Sequence, residues 1–109
     1  MEMTGSSYFV LASLQNGPLH GYGMIKRAEV ISHGRVKLAV GTLYGVIDRL
    51  VANDLIVLVS EEIFDGRARR SYALTPSGMN ALHAEAARLA QAASVVTPAA
   101  RTSLNASPA

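Results

Sequence analysis

The chain has 109 residues, half of them hydrophobic and 17% charged, with a formal net charge of +2 and a sequence pI near 9.3. That length suits one domain with a modest core, and so high an apolar share in so short a chain points to surface that a second chain covers. The absence of cysteine excludes disulfides, thiolate catalysis and cysteine zinc sites, and the longest aliphatic run, Leu55 to Val59, falls far short of the about 20 residues a membrane helix needs.

Residues 1–7 read as a flexible leader with no basic start, a poor signal peptide, so the cytoplasm is the expected location. Tyr8 to Gln15, carrying Phe9, Val10, Leu11 and Leu14, predicts a first helix, which Asn16-Gly17-Pro18 stops. A second helix is expected from His20 to about Ile31, with Met24, Ile25, Ala28 and Ile31 as its apolar stripe. Gly21 and Gly23 weaken its start by about 1 kcal/mol each relative to alanine, a cost that a close neighbour would explain. Ser32-His33-Gly34 closes it, and Arg35 to Leu38 forms an extended connector.

The third helix is expected from Val40 to Val51, with Leu43, Ile47 and Leu50 on one buried face at i, i+4, i+7. Leu55–Glu62 and Ser71–Thr75 have strand composition, and Phe64 to Arg70 joins them through an Asp65-Gly66 turn. Thr75-Pro76 opens a fourth helix, threonine as N-cap and proline at the first helical position. Along that helix Met79, Leu82, Ala86, Leu89, Ala93 and Val96 recur at alternating gaps of three and four. So long a stripe exceeds what three short helices cover, which makes residues 76–96 a dimerisation helix and these six residues its seam. Residues 97–109, with little to bury beyond Leu104, read as a disordered tail.

Helix, helix, helix, hairpin is a winged helix-turn-helix, here spanning residues 8–75, in a mainly α, α+β chain. That order fixes the candidate contacts. Gly41, Thr42 and Tyr44 start the third helix, where backbone amides and hydroxyls favour an anion. Arg67, Arg69 and Arg70 sit at the wing tip, where a minor groove attracts arginine. Lys37 (with Arg35) in the connector and Arg49 on the third helix reach for phosphates; the bland alternative is ordinary surface charge for the first two and pairing with Asp48 or Asp54 for Arg49. His20, His33 and His83 lack zinc-ligand spacing, and Glu61-Glu62 reads as a solvated pair. No metal, cofactor or catalytic constellation is expected, so the chain is not read as an enzyme.

Three motifs then carry a resemblance. Gly17-Pro18-Leu19-His20-Gly21-Tyr22, Gly41-Thr42-Leu43-Tyr44 running on to Arg49-Leu50, and Gly66-Arg67-Ala68-Arg69-Arg70-Ser71-Tyr72-Ala73-Leu74-Thr75-Pro76-Ser77-Gly78 stand in order over residues 8–78. In these the chain resembles the PadR-like transcriptional regulators of the compact type. The resemblance implies a winged-helix homodimer on a pseudo-palindromic double-stranded DNA operator, usually a repressor, sometimes released by a small-molecule effector at the dimer interface. It departs from the family at Asn53-Asp54, where a glycine is common after the third helix, and at Ala39-Val40, which bring little hydrogen bonding to that helix's start. A winged-helix interaction or dimerisation module without DNA binding is the alternative.

Overall fold

The computed structural model describes residues 3–97. Its elements are α1 (Gly5–Ser13), β1 (Leu19–His20), α2 (Gly21–Ile31), α3 (Val40–Ala52), β2 (Ile56–Phe64), β3 (Arg67–Leu74) and α4 (Pro76–Ser94). Three helices pack around one core: Val10, Leu11 and Leu14 from the first, Met24 and Ala28 from the second, Leu43, Val46, Ile47 and Leu50 from the third. Leu38, Ile56 and Leu82 close it from the connector, the hairpin and α4.

Two expectations are corrected at the N-terminal end. Residues 5–7 are not leader but the first turn of α1, capped by Thr4, whose hydroxyl oxygen accepts from the Ser7 amide at 3.1 Å. Ser7 is fully buried, and the Thr4 hydroxyl donates to its Oγ, so this small polar residue enters the core already satisfied. His20 does not begin the second helix. It is the N-cap of α2 and half of a two-residue strand, which pairs Leu19 with Tyr72 and His20 with Ser71. Alternation over two residues leaves no readable period, which is why the sequence hides this strand. Met1 and Glu2 lie outside the described residues.

The C-terminal end of α2 is tied to the connector. Ser32 is buried; its hydroxyl donates to the Glu29 carbonyl and accepts from the Val36 amide at 2.9 Å. That pins the segment so that Leu38 enters the core and Lys37 stays exposed. At the end of α3, Asn53 keeps an ordinary backbone and Asp54 takes the left-handed one, φ 60°. The Leu55 amide then reaches back to the Leu50 carbonyl at 2.9 Å, closing the helix as a glycine commonly does.

The sheet is antiparallel in the order β1-β3-β2, so β2 is an outer edge. Its bulge at Leu58/Ser60 and its exposure from Val57 onward make the hairpin a projecting wing. The joining segment is shorter than expected. Asp65 and Gly66 both have positive φ, 52° and 74°, and close the hairpin alone. Such a two-residue turn matches the strand twist, so the ladder continues to its ends and all three arginines lie in β3.

Thr75 caps α4, accepting from the Gly78 amide at 2.9 Å, while its own hydroxyl donates to the Asp54 carbonyl at 2.6 Å. The helix ends at Ser94, two residues before the expected Val96. The proposed tail falls, from residue 98 on, outside the described residues.

Candidate nucleic-acid interface

The exposed side of the fold carries a cleft of about 510 Å³ between the start of α2, the start of α3 and the wing. His20, Gly21 and Tyr22 form one wall, Tyr44 the floor, and Phe64, Asp65 and Arg67 to Arg70 the other wall. The β1–β3 pairing brings these walls together, because it holds the start of α2 against the strand that carries the arginines.

Each wall is set by local sequence. α2 begins at Gly21, and its N-cap His20 makes no side-chain capping hydrogen bond, so its first turn presents Gly21 and Tyr22 directly to the cleft. The absence of a side chain on Gly21 leaves room for its neighbours on α3: a methyl there would lie 3.4 Å from Leu43 Cδ2 and 3.5 Å from the Tyr44 hydroxyl. Tyr44 thus lies across the start of α2, with about half its surface exposed. Gly23 has the other neighbours the sequence pointed to, Leu19 and the His20 ring.

The sequence-derived residues divide into three groups. Gly41, Thr42 and Tyr44 are exposed on the first turns of α3, whose N-cap is Ala39. Lys37 is exposed just before them. Arg49 lies further along the helix, its guanidinium folded back over Gly45. The wing arginines are the third group, and they are not equivalent. Strand alternation puts Arg67 and Arg69 on one face and Arg70 on the other. Arg69 is stacked on the Phe64 ring, its guanidinium carbon 4.1 Å from the ring centre. Arg70 is held by Glu61 on β2, its Nε donating to a carboxylate oxygen at 2.5 Å. That hydrogen bond, reinforced by the Glu61 charge, raises the Arg70 pKa further above its ordinary value. Arg67 makes no ion pair among the described residues.

The wing is not basic once its carboxylates are included. From Ile56 to Leu74 the acids Glu61, Glu62 and Asp65 equal the three arginines, so the hairpin is neutral overall. The register sets Glu61 opposite Arg70 and Glu62 opposite Arg69. Below this ladder Tyr72, Leu58 and Val51 line a second, shallower hollow with Asp48. There burial pushes the Tyr72 phenol up from its usual range, with Arg70 acting in opposition.

Sequence reasoning missed the α2 wall. Tyr22 is 64% exposed, with the Lys26 ammonium 5.5 Å from its ring centre. The signal was an aromatic between two glycines at a helix start. Without β1, nothing in the sequence brought it beside the wing.

The expected seam is also redistributed. Leu82, only 3% exposed, belongs to the chain's own core, and Met79 and Ala86 are half-buried. Heptad spacing marks a buried face but not which chain buries it, so Leu82 is corrected from seam to core. From Ala87 to Thr97 every residue is exposed, leaving Leu89, Ala93 and Val96 uncovered.

Three packed helices, with α2 and α3 as the helix-turn-helix and a projecting antiparallel hairpin beside the exposed start of α3, define a winged helix-turn-helix protein. Comparison with known proteins agrees: residues 10–84 match the Transcriptional regulator PadR-like family. The chain belongs to that family. It is 40% identical over 74 residues to Transcriptional regulator Rv3488 of Mycobacterium tuberculosis, a match over 67% of this chain and 64% of that protein. It is 37% identical over 91 residues to an uncharacterized 37.1 kDa protein in transposon TN4556 of Streptomyces fradiae, covering 84% of this chain. The chain spans about a quarter of that second protein and just under two thirds of the first. Among solved structures, a PadR family transcription regulator from Clostridium difficile superimposes with a TM-score of 0.70 at 24% identity, over 84% of this chain and 94% of that one. Bacillus subtilis PadR in complex with operator DNA superimposes with a TM-score of 0.62 at 23% identity, over 71% and 44% of the two chains. None of the described helices is long and apolar enough to cross a membrane.

Proposed function

We propose that this chain is a sequence-specific DNA-binding transcriptional regulator that acts in the cytoplasm as a homodimeric repressor. The observation that carries the reading is the cleft itself: the uncapped start of α2, the Tyr44 hydroxyl and Arg67 converge from three elements on one exposed surface. Backbone amides at a helix start and an arginine on a neighbouring strand both suit phosphate oxygens. The exposed first turns of α3, with Gly41 and Thr42, lie where a recognition helix meets base edges, while Lys37 and Arg49 serve the backbone.

The dimer is proposed through the free end of α4. Leu89, Ala93 and Val96 continue the stripe that holds Leu82, on a stretch exposed among the described residues. Two-fold symmetry then calls for a pseudo-palindromic operator with half-sites about 10 bp, or a multiple, apart. A small-molecule effector, on this reading, would act between the subunits along α4.

One observation favours the alternative, an interaction module that never touches DNA. The wing is neutral, and its outer strand exposes Val57, Leu58 and Val59. Fluorescence anisotropy on DNA from upstream of the protein's own gene, with scrambled competitor, separates the two. The expected result is competitor-resistant binding that weakens by about 10³–10⁵ between 50 and 200 mM salt, as about 6–10 neutralised phosphates require. A flat salt response, or no binding at low salt, would leave the interaction module as the better reading.

A further inference from the structure

Glu61 and Arg70 face each other directly across the wing, and Arg70 alone among the wing arginines is matched to a carboxylate contact. Arg70 lines the cleft beside Tyr44 and Arg67, and it also lines the hollow behind, together with Glu61 and Tyr72. It therefore stands at the edge of the surface assigned to DNA, with its charge already cancelled. We propose that Glu61 sets the affinity for DNA by occupying Arg70: the carboxylate holds the guanidinium against β2 and withholds it from the phosphate backbone. This deepens the DNA-binding reading and rests on it.

The physical case has three parts. The pair is solvent-accessible, with the side chains 55% and 46% exposed, so no burial locks the arginine in place and the charge on Glu61 sets its availability. A phosphate near Arg70 would also lie near Glu61, whose negative charge opposes it. Finally, a guanidinium already neutralised by a carboxylate releases no counterion from DNA, so the pair adds nothing to the salt-dependent part of binding. The neutral wing is thus a device for moderate affinity, in which Arg67 and the stacked Arg69 contribute and Arg70 is held back.

A charge-only substitution tests this. Wild type, Glu61→Gln, Arg70→Ala and the double variant are titrated on a fluorescent mixed-sequence duplex and on upstream DNA over a salt series. Circular dichroism and thermal melting confirm that all four fold. Freeing Arg70 by Glu61→Gln should tighten binding about five- to tenfold near 0.1 M salt and steepen the log–log salt dependence by about 0.9 for each phosphate gained. Arg70→Ala in the wild-type background leaves Glu61 unpaired and should weaken binding, whereas the double variant, as neutral at this point as wild type, should stay within about threefold of it and keep its slope. In the Glu61→Gln background, then, Arg70→Ala should erase the gain.

An unchanged slope in Glu61→Gln, with wild type binding normally, overturns this inference and leaves the DNA reading intact. So does a double variant that falls as far below wild type as Arg67→Ala does, because Arg70 would then be a working contact beside its partner. No binding by any of the four at low salt overturns the DNA reading, and this inference falls with it.

Discussion

Gly78 lies directly against the carbonyl of Leu55: a methyl on its Cα would overlap that oxygen and stand 3.2 Å from Leu74 Cδ2. The same carbonyl accepts the Thr75 amide at 3.1 Å, and Thr75 caps the turn that contains Gly78. The contact fixes how closely α4 approaches the start of the wing, and backbone on one side leaves little room to yield. Gly78→Ala should therefore cost about 1–3 kcal/mol, the usual range for forced overpacking, despite alanine's better helix propensity. Urea denaturation monitored by circular dichroism measures it; an unchanged midpoint would show that α4 can shift outward without penalty.

Asp54 offers the opposite sign. It holds a left-handed backbone that an L side chain adopts at a cost, and its side chain is exposed. Asp54→Gly should stabilise the fold by about 0.5–1 kcal/mol, the relief of strain outweighing the greater freedom of glycine in the unfolded chain. The midpoint of thermal unfolding should rise. A fall would place a favourable role in the Asp54 carboxylate.

Leu82 and Leu89 sit one heptad apart and should fail in different ways. Leu82→Ala should cost about 2–5 kcal/mol of stability in each chain, because the side chain fills the core. Leu89→Glu should leave secondary structure intact and shift sedimentation equilibrium towards monomer. A stable dimer in the Leu89→Glu variant would move the seam away from the end of α4.

Arg67→Ala with Arg69→Ala should weaken DNA binding and flatten its salt dependence by about 0.9 for each phosphate no longer neutralised. Arg69→Lys alone should recover less than its charge suggests, since lysine stacks less well on Phe64 than a planar guanidinium. Anisotropy titrations at several salt concentrations supply both readings. Full wild-type affinity in the double variant would remove the wing from the interface.

The helices were legible because their signals are local. The i, i+4, i+7 spacing of Leu43, Ile47 and Leu50 and the Thr75-Pro76 start each specify structure within a few residues, and both hold in the fold. The wing was legible in outline only. An Asp-Gly pair marks a turn, but not that both residues would adopt positive φ and carry the strands to its edge. The pairing of the wing's charges depends on register, which sets Glu61 and Glu62 against Arg70 and Arg69 from several residues away. Leu82 was misassigned for a related reason: periodicity reports that a face is covered, and only the packing of α4 onto the core of its own chain shows what covers it.

The two-residue strand Leu19–His20 is the smallest element in the fold, yet it laces the α2 wall to the wing through Tyr72 and Ser71. The two walls of the cleft are therefore joined through one sheet, and spreading them would break the Leu19–Tyr72 and His20–Ser71 pairing. On the proposed DNA-binding reading, a duplex backbone meeting this cleft would have to match a spacing that the sheet sets, and a stiff sequence that cannot deform to it would be disfavoured without any base being touched.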